Sequence, residues 1–291
     1  MQPVSRRTFA LVTLVAIGAG LLLFPTASRG FATRDQSRSL ASYGQAVTAL
    51  PDAEQQRLLA AAHEYNARLA RGDRDGGDGT GGSYRAQLAP PGGTIMAALT
   101  IPSLRLALPV LHDTGDEVPA RGAAHLHGTS LPVGGRGTHA VISAHSGLAG
   151  AELFTHLDRV EVGAVFTLDV AGRRLVYEVD SIAVVEPDDD SLLHPVPDQD
   201  LVTLVTCTPT GLSTHRLLVR GHRTFADDGP HATHHLADAS AEPGVAWWSA
   251  TLVVSVVGAA FVGCALDRAD RARARHLAGP PTERTADVTS P

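Results

Sequence analysis

Two cysteines occur in the 291-residue chain, and their surroundings differ. Cys264 lies inside a long apolar run, whereas Cys207 ends the β-branched stretch LVTLVTC and is followed by TPTGLSTHRLLVRG. Two such residues cannot build a disulfide framework, so the fold must stand on packing, and Cys207 is expected to be a free thiol. LVTLVTC and HRLLVRG both read as strands, and Thr208 to His215, with Pro209 and Gly211, fits a hairpin loop between them. Antiparallel pairing then brings Cys207 and Arg216 to one rim of a sheet. A guanidinium beside a thiol favours the thiolate and can donate hydrogen bonds to the oxyanion formed by attack on an acyl carbon. The chemistry this suggests is acyl transfer, and it needs one more part, a histidine that moves the proton.

Fourteen histidines compete for that role. His145 ends the run HAVISAH and precedes Ser146-Gly147, so it stands at a strand-to-loop rim as Cys207 does. His125 and His127 have an H-x-H spacing that could serve a metal, but no Cys, Asp or Glu stands close by in sequence to complete a site. His215 adjoins Arg216, and strand alternation turns the two side chains to opposite faces. His63 falls on a helix, and His231, His234 and His235 fall in a polar stretch. The alternative for Cys207 is a small buried hydrophobe at a strand end. For Arg216 it is a surface salt bridge, and for His145 a polar residue satisfied by backbone.

The elements that must hold these residues are legible from pattern. From about Thr94 the chain breaks into short β-rich runs, TIMAALTIP, LALPVLH, HAVISAH, AVFTLDV, RRLVYEVDSIAVVEP, DLVTLVTC and HRLLVRGH, punctuated by Gly and Pro. So many strands without long intervening helices imply a closed barrel or a sandwich. FTLDV and RRLVYEV flank Ala171-Gly172, which reads as a tight hairpin. Before the strands, Leu58, Ala62, Tyr65 and Leu69 recur at helical spacing after Pro51-Asp52 and before Gly72. GDRDGGDGTGG, Gly72 to Gly82, has no apolar period and reads as a connector or mobile loop.

Composition sets the outer bounds. A hydrophobic content of 44% supports a full core. All positive charge is arginine, and the net charge of -6 with pI near 6.1 leaves no basic field for nucleic acid. Arg6 and Arg7 precede Thr8 to Phe24, an uncharged run of about 17 residues, expected to be an uncleaved signal anchor. The stretch SRRTFAL also resembles a twin-arginine export signal. Val245 to Leu266, about 22 residues opened by Trp247-Trp248 and followed by DRADRARARH, reads as a transmembrane helix. The flanking arginines place both termini in the cytoplasm and the catalytic part outside the cell membrane. The expected organisation is an anchor over 1–30, a helical region over 31–71 and a Gly-rich lid-like linker over 72–93. A β-barrel follows over 94–225, then a polar linker over 226–244, a transmembrane helix over 245–266 and a basic tail over 267–291.

The blocks HLHGTSLPVGG, SAHSGL, VVEPDDD, TLVTC and THRLLVRG, in that order, resemble the sortases, and specifically the class C, pilin-polymerising group. The similarity runs from about Met96 to Arg223, with weaker agreement at EYNARL. The resemblance implies an eight-stranded β-barrel with N-terminal helices. It makes Cys207 the nucleophile, His145 the acid/base and Arg216 the oxyanion stabiliser, with no metal or other cofactor. It implies an acyl transfer in which Cys207 attacks the threonine carbonyl of a Leu-Pro-x-Thr-Gly sorting signal. A pilin lysine or a cell-wall precursor amine then resolves the thioacyl enzyme. The partners it implies are pilins or surface proteins that carry the signal, and the membrane.

The chain departs from the class C pattern in three places. Gly72 to Ser83 contains Asp73, Asp75 and Asp78 but lacks the Asp-Pro-aromatic anchor of a lid. Ser146 stands where arginine is common, and Ser213 where asparagine is common. A papain-like or cell-wall peptidase that hydrolyses its thioester with water is the competing enzyme, but those families usually place the cysteine on a helix start ahead of the histidine, the reverse of the order and element here. A non-catalytic pilus-assembly or adhesion module is the competing reading without chemistry.

Overall fold

The computed structural model describes residues 6–72, 82–112, 121–148, 150–224 and 247–277. Asp73, Asp75 and Asp78, the polar linker with His231, His234 and His235, and the tail beyond Leu277 lie outside the described residues. The chain divides into two compact units, one of Ser28–Glu242 and one of Met1–Ala27 with Pro243–Pro291.

Eight strands close into a barrel: β1 (Ile95–Ile101), β2 (Leu106–His112), β3 (Ala123–His125), β4 (Thr138–Ser143), β5 (Val165–Val170), β6 (Arg173–Val185), β7 (Asp200–Thr208) and β8 (His215–Thr224). Around the barrel the order is β1-β2-β3-β4-β7-β8-β6-β5, which decides between the barrel and the sandwich that the strand count left open. Closure removes every exposed edge that so many β-branched strands would otherwise present. Most pairs are antiparallel, but β2–β3 and β4–β7 are parallel, so the barrel is mixed. The Ala171-Gly172 turn joins β5 to β6, with positive φ at both residues, 44° and 81°, as a two-residue hairpin of matching twist requires.

Alternation fills the interior. Ala140, Ile142 and Ala144, Val202 and Leu204, and Leu217 and Val219 all join one core with Leu99, Ile101, Leu168 and Phe166. Phe166 and Tyr177 stack inside it, ring centroids 5.5 Å apart. Burying each such ring contributes roughly 2–3 kcal/mol.

Helix α1 covers Arg6–Ala49, α2 covers Asp52–Ala70, and α3 is a single turn, Gly82–Arg85. Helix α2 carries Asp52 and Glu54 in its first turn, suiting the helix dipole, and buries Leu58, Leu59, Ala62, Tyr65 and Asn66. Asn66 fastens it to the barrel: its Nδ2 donates to the Leu131 carbonyl at 3.1 Å, and the Leu131 N–H donates to its Oδ1 at 2.7 Å. Leu40, Tyr43 and Val47 of α1 pack on the outward Ala98 of β1, and the buried Tyr43 hydroxyl donates to the Met96 carbonyl at 3.1 Å.

The run of residues 8–24 lies within α1, and residues 247–266 of the second run lie within α4 (Trp247–Leu277), residues 245 and 246 being outside the described residues. Both helices run on into charged sequence, to Arg34 and beyond in α1 and through DRADRARARHL in α4. Among the described residues no helix is long and apolar enough to cross a membrane, so the expectation of two spanning segments is met as to helix and not as to span.

Candidate active site

Cys207 stands directly opposite Arg216 in the β7–β8 ladder, and Arg216 Nη1 donates to Cys207 Sγ at 3.3 Å. The core positions of β7 and β8 are Val202, Leu204, Leu217 and Val219, so Cys207 and Arg216 belong to the alternate set and face out of the barrel. Cys207 is a free thiol and partly exposed. The pair is therefore accessible from solvent and carried on a wall whose inner face is solid core.

His145 arrives from β4. The parallel β4–β7 register ends at Ser143 opposite Val205, and the next residue remains tied to β7. The Ala144 N–H donates to the Val205 carbonyl at 3.1 Å, and Thr206 Oγ1 donates to the Ala144 carbonyl at 2.8 Å. Ala144 points into the core, so His145 continues the outward set, level with Cys207 by register. Its carbonyl accepts from the N–H of buried Phe154 at 3.0 Å, which fixes the backbone on the far side. Parallel neighbours run about 4.8 Å apart, so β4, β7 and β8 deliver the three residues side by side at one rim.

Two loops meet over that rim. The β7–β8 loop contains the left-handed Gly211 and Ser213, φ 87° and 55°, and its Leu212 is exposed. Ser146 Oγ, on the loop after His145, lies 2.8 Å from Thr210 Oγ1. Gly147 beside it has φ 71°, and a Cβ there would come within 2.6 Å of Thr210 Cγ2. The loop that follows the histidine is thus latched to the loop that follows the cysteine. The sequence marked Ser146 as unusual, but nothing in it paired that residue with Thr210. Thr206 was likewise missed, because a threonine inside a strand carries no signal of its own.

The remaining sequence candidates are elsewhere. His215 pairs with Glu186 at 3.5 Å, opposite in face to Arg216 as alternation required. His125 is fully buried, its Nδ1 2.9 Å from the Tyr84 hydroxyl and its Nε2 2.8 Å from the Ser130 carbonyl. His127 packs against the same tyrosine ring, tilted by 35° with centroids 4.5 Å apart. The H-x-H pair is built into a packed aromatic cluster, and among the described residues no group of three or more His, Cys, Asp or Glu could hold a metal ion. His63 sits on α2, where burial first and then the Arg173 charge hold its imidazole below the ordinary range.

The arrangement can do acyl transfer: a nucleophile with a hydrogen-bonding cation, and an imidazole at the same rim. The family model for the sortase domain matches residues 99–224. The solved structure of sortase C1 from Streptococcus agalactiae is 37% identical, with 65% of this chain covering 100% of that one at a TM-score of 0.61. Sortase A from Corynebacterium diphtheriae, in a lid-mutant form, is 40% identical, with 61% of this chain covering 97% of that one at a TM-score of 0.56. The curated relative Sortase A of Streptococcus agalactiae serotype III (strain NEM316) is 27% identical over 142 residues, 48% of this chain. That match spans only 56% of the relative's own length.

Proposed function

Since the chain belongs to the sortase family of cysteine transpeptidases, we propose that it polymerises pilins by cleaving a Leu-Pro-x-Thr-Gly sorting signal and joining it to a lysine amine. The Cys207 thiolate attacks the threonine carbonyl, and Arg216 donates to the oxyanion. The Thr-Gly bond breaks, His145 gives its proton to the departing glycine amine, and a thioester links the substrate to Cys207. The lysine amine of the next subunit attacks that thioester, His145 takes up the proton it loses, and the thiolate leaves. The observation that carries this reading is the 3.3 Å contact from Arg216 to an accessible Cys207, with His145 tied into the neighbouring strand.

The motif blocks and the likeness to sortase C1 favour polymerisation. The likeness to sortase A enzymes as well supports a second reading, transfer of surface proteins to a cell-wall precursor amine. In either case the arginines that flank the two apolar runs support an enzyme held at the cell membrane with the barrel outside.

The full chain in detergent micelles, mixed with a pilin bearing the signal, yields a ladder of crosslinked multimers. Transfer of single subunits to a wall-precursor amine without a ladder favours anchoring. Cys207→Ala forms no covalent adduct with a sorting-signal peptide while keeping its fold. An adduct in that variant removes the proposed nucleophile.

A further inference from the structure

The outer face below Cys207 changes character along the strands. Cys207, Val205, Ser143 and Arg216 are partly exposed, whereas His139, Val141 and Thr203 further down face outward yet are buried, 1%, 0% and 1% exposed. The segment lying over this lower end is the 186–199 loop between β6 and β7, which starts at the Cys207 rim and ends at the opposite one. At its start Glu186 pairs with His215, and at its end the Gln199 carbonyl accepts from the Gly137 N–H at 2.7 Å.

Between those ends one buried side chain reaches the loop from the barrel. His139 Nδ1 donates to the His194 carbonyl at 3.0 Å, and the Thr203 hydroxyl donates to His139 Nε2 at 2.7 Å. The carbonyl can only accept, so it places the proton on Nδ1, and the Thr203 hydroxyl bound at Nε2 holds the ring in the orientation that reaches the loop. Burial keeps the imidazole below its ordinary titration range, although the bond to His194 works the other way. An open pocket of about 720 Å³ lies beside His139, lined by Leu193, His194 and Pro195 of the loop, Thr129, and Tyr65 and Leu69 of α2. On that side the loop is held by its polar tethers, of which the His139 bond is the buried one.

We propose that His139 is a positioning residue for substrate recognition: through the His194 carbonyl it sets the place of the 186–199 loop, which leaves β6 at Val185, directly opposite Arg216. This rests on the transpeptidase reading above. The catalytic rim is built from other residues, so His139 acts on substrate binding and not on the chemical step.

The test uses the full chain in detergent micelles and a fluorogenic Leu-Pro-x-Thr-Gly peptide. His139→Ala raises KM about fivefold, the loss of one buried hydrogen bond, with kcat within about twofold. His139→Asn, whose amide nitrogen can take the place of Nδ1, recovers most of the loss. Hydrogen exchange over 188–196 quickens in the alanine variant and not in the asparagine variant. Should His139→Ala not fold, the near-isosteric Thr203→Val is read instead and shows the same rise in KM at unchanged kcat. An unchanged KM, an asparagine variant as impaired as alanine, or unaltered exchange in the loop overturns the proposal. Wild-type protein that forms no adduct with the peptide overturns the transpeptidase reading instead, while the exchange measurement still decides the tether.

Discussion

Cys207 and Arg216 are cross-strand partners whose side chains meet at 3.3 Å, on the outward face of a ladder whose inward face is closed core. The guanidinium is held by strand register and not by a loop, so its aim at the sulfur does not depend on substrate. Arg216→Ala is expected to slow thioacyl formation by about 10²–10³-fold, as loss of an oxyanion donor does. Arg216→Lys, which keeps the charge and loses the planar fork, falls between. Rapid-quench acylation with a sorting-signal peptide measures both, and an alanine variant within about fivefold of wild type would refute the role.

Gly147→Ala places a Cβ against Thr210 Cγ2 at a residue with φ 71°. The left-handed backbone alone costs an alanine about 1–2 kcal/mol, and the contact adds to it. The variant is expected to melt lower and to turn over more slowly, because the displaced loop carries His145 at its base. Adding Thr210→Ser removes the methyl but keeps the hydroxyl near Ser146, and should recover part of both losses. Equal damage in the single and double variants would show that the loop contact is not what matters.

Asn66→Ala leaves the Leu131 N–H and carbonyl without their side-chain partners in a buried seam. The expected cost is about 2–5 kcal/mol, read as a fall in melting temperature of roughly 5–15 °C. A fall under about 2 °C would mean that α2 is docked by its apolar face alone.

Ser213 has φ 55° and is exposed, in a conformation that asparagine adopts more readily than serine. Ser213→Asn should therefore raise the melting temperature by about 1–3 °C with catalysis unchanged. A lower melting temperature would contradict the backbone argument.

His63, His112 and His139 all have imidazoles held below the ordinary value of 6.5, burial being the first cause in each. Nearby Arg173, Arg85 and Arg220 push the same way, while the carbonyls of Gln87, Thr94 and His194 and the carboxylates of Asp200 and Asp180 oppose it. Between the folded and unfolded values the unfolded chain binds more protons, so stability rises with pH through that window. It is fully present above about 6.5 and is lost as pH falls below it. Melting temperature should drop between pH 7.5 and pH 5.5, and His139→Asn should shrink the difference. A flat profile would contradict the neutral buried rings.

Local pattern made much of this legible. Leu58, Ala62 and Tyr65 gave α2 its inward face, and Ala171-Gly172 gave the β5–β6 hairpin. LVTLVTC and HRLLVRG set Cys207 against Arg216 because a short hairpin has few registers, and the observed one is that pairing. What escaped was non-local. The parallel β4–β7 pairing, which brings His145 level with Cys207, depends on closure of the whole barrel and leaves no mark on either strand. Strand β3 is only Ala123–His125, too short for alternation to show, and its H-x-H spacing reflects packing on Tyr84. The tether from His139 to His194 joins a side chain to a backbone carbonyl across 55 positions, which residue type cannot reveal.

The position of β7 between β4 and β8 also orders events in time. Ala144 and Thr206 are 62 positions apart, and their contact closes a long loop. Such non-local pairings form late, after the entropy of loop closure has been overcome. Until β7 is seated, an emerging chain carries Cys207 without His145 beside it, and until β8 folds back, without Arg216. Under the proposed reaction, the thiol therefore meets both of its partners only when the barrel is complete, and a half-folded chain carries no assembled site.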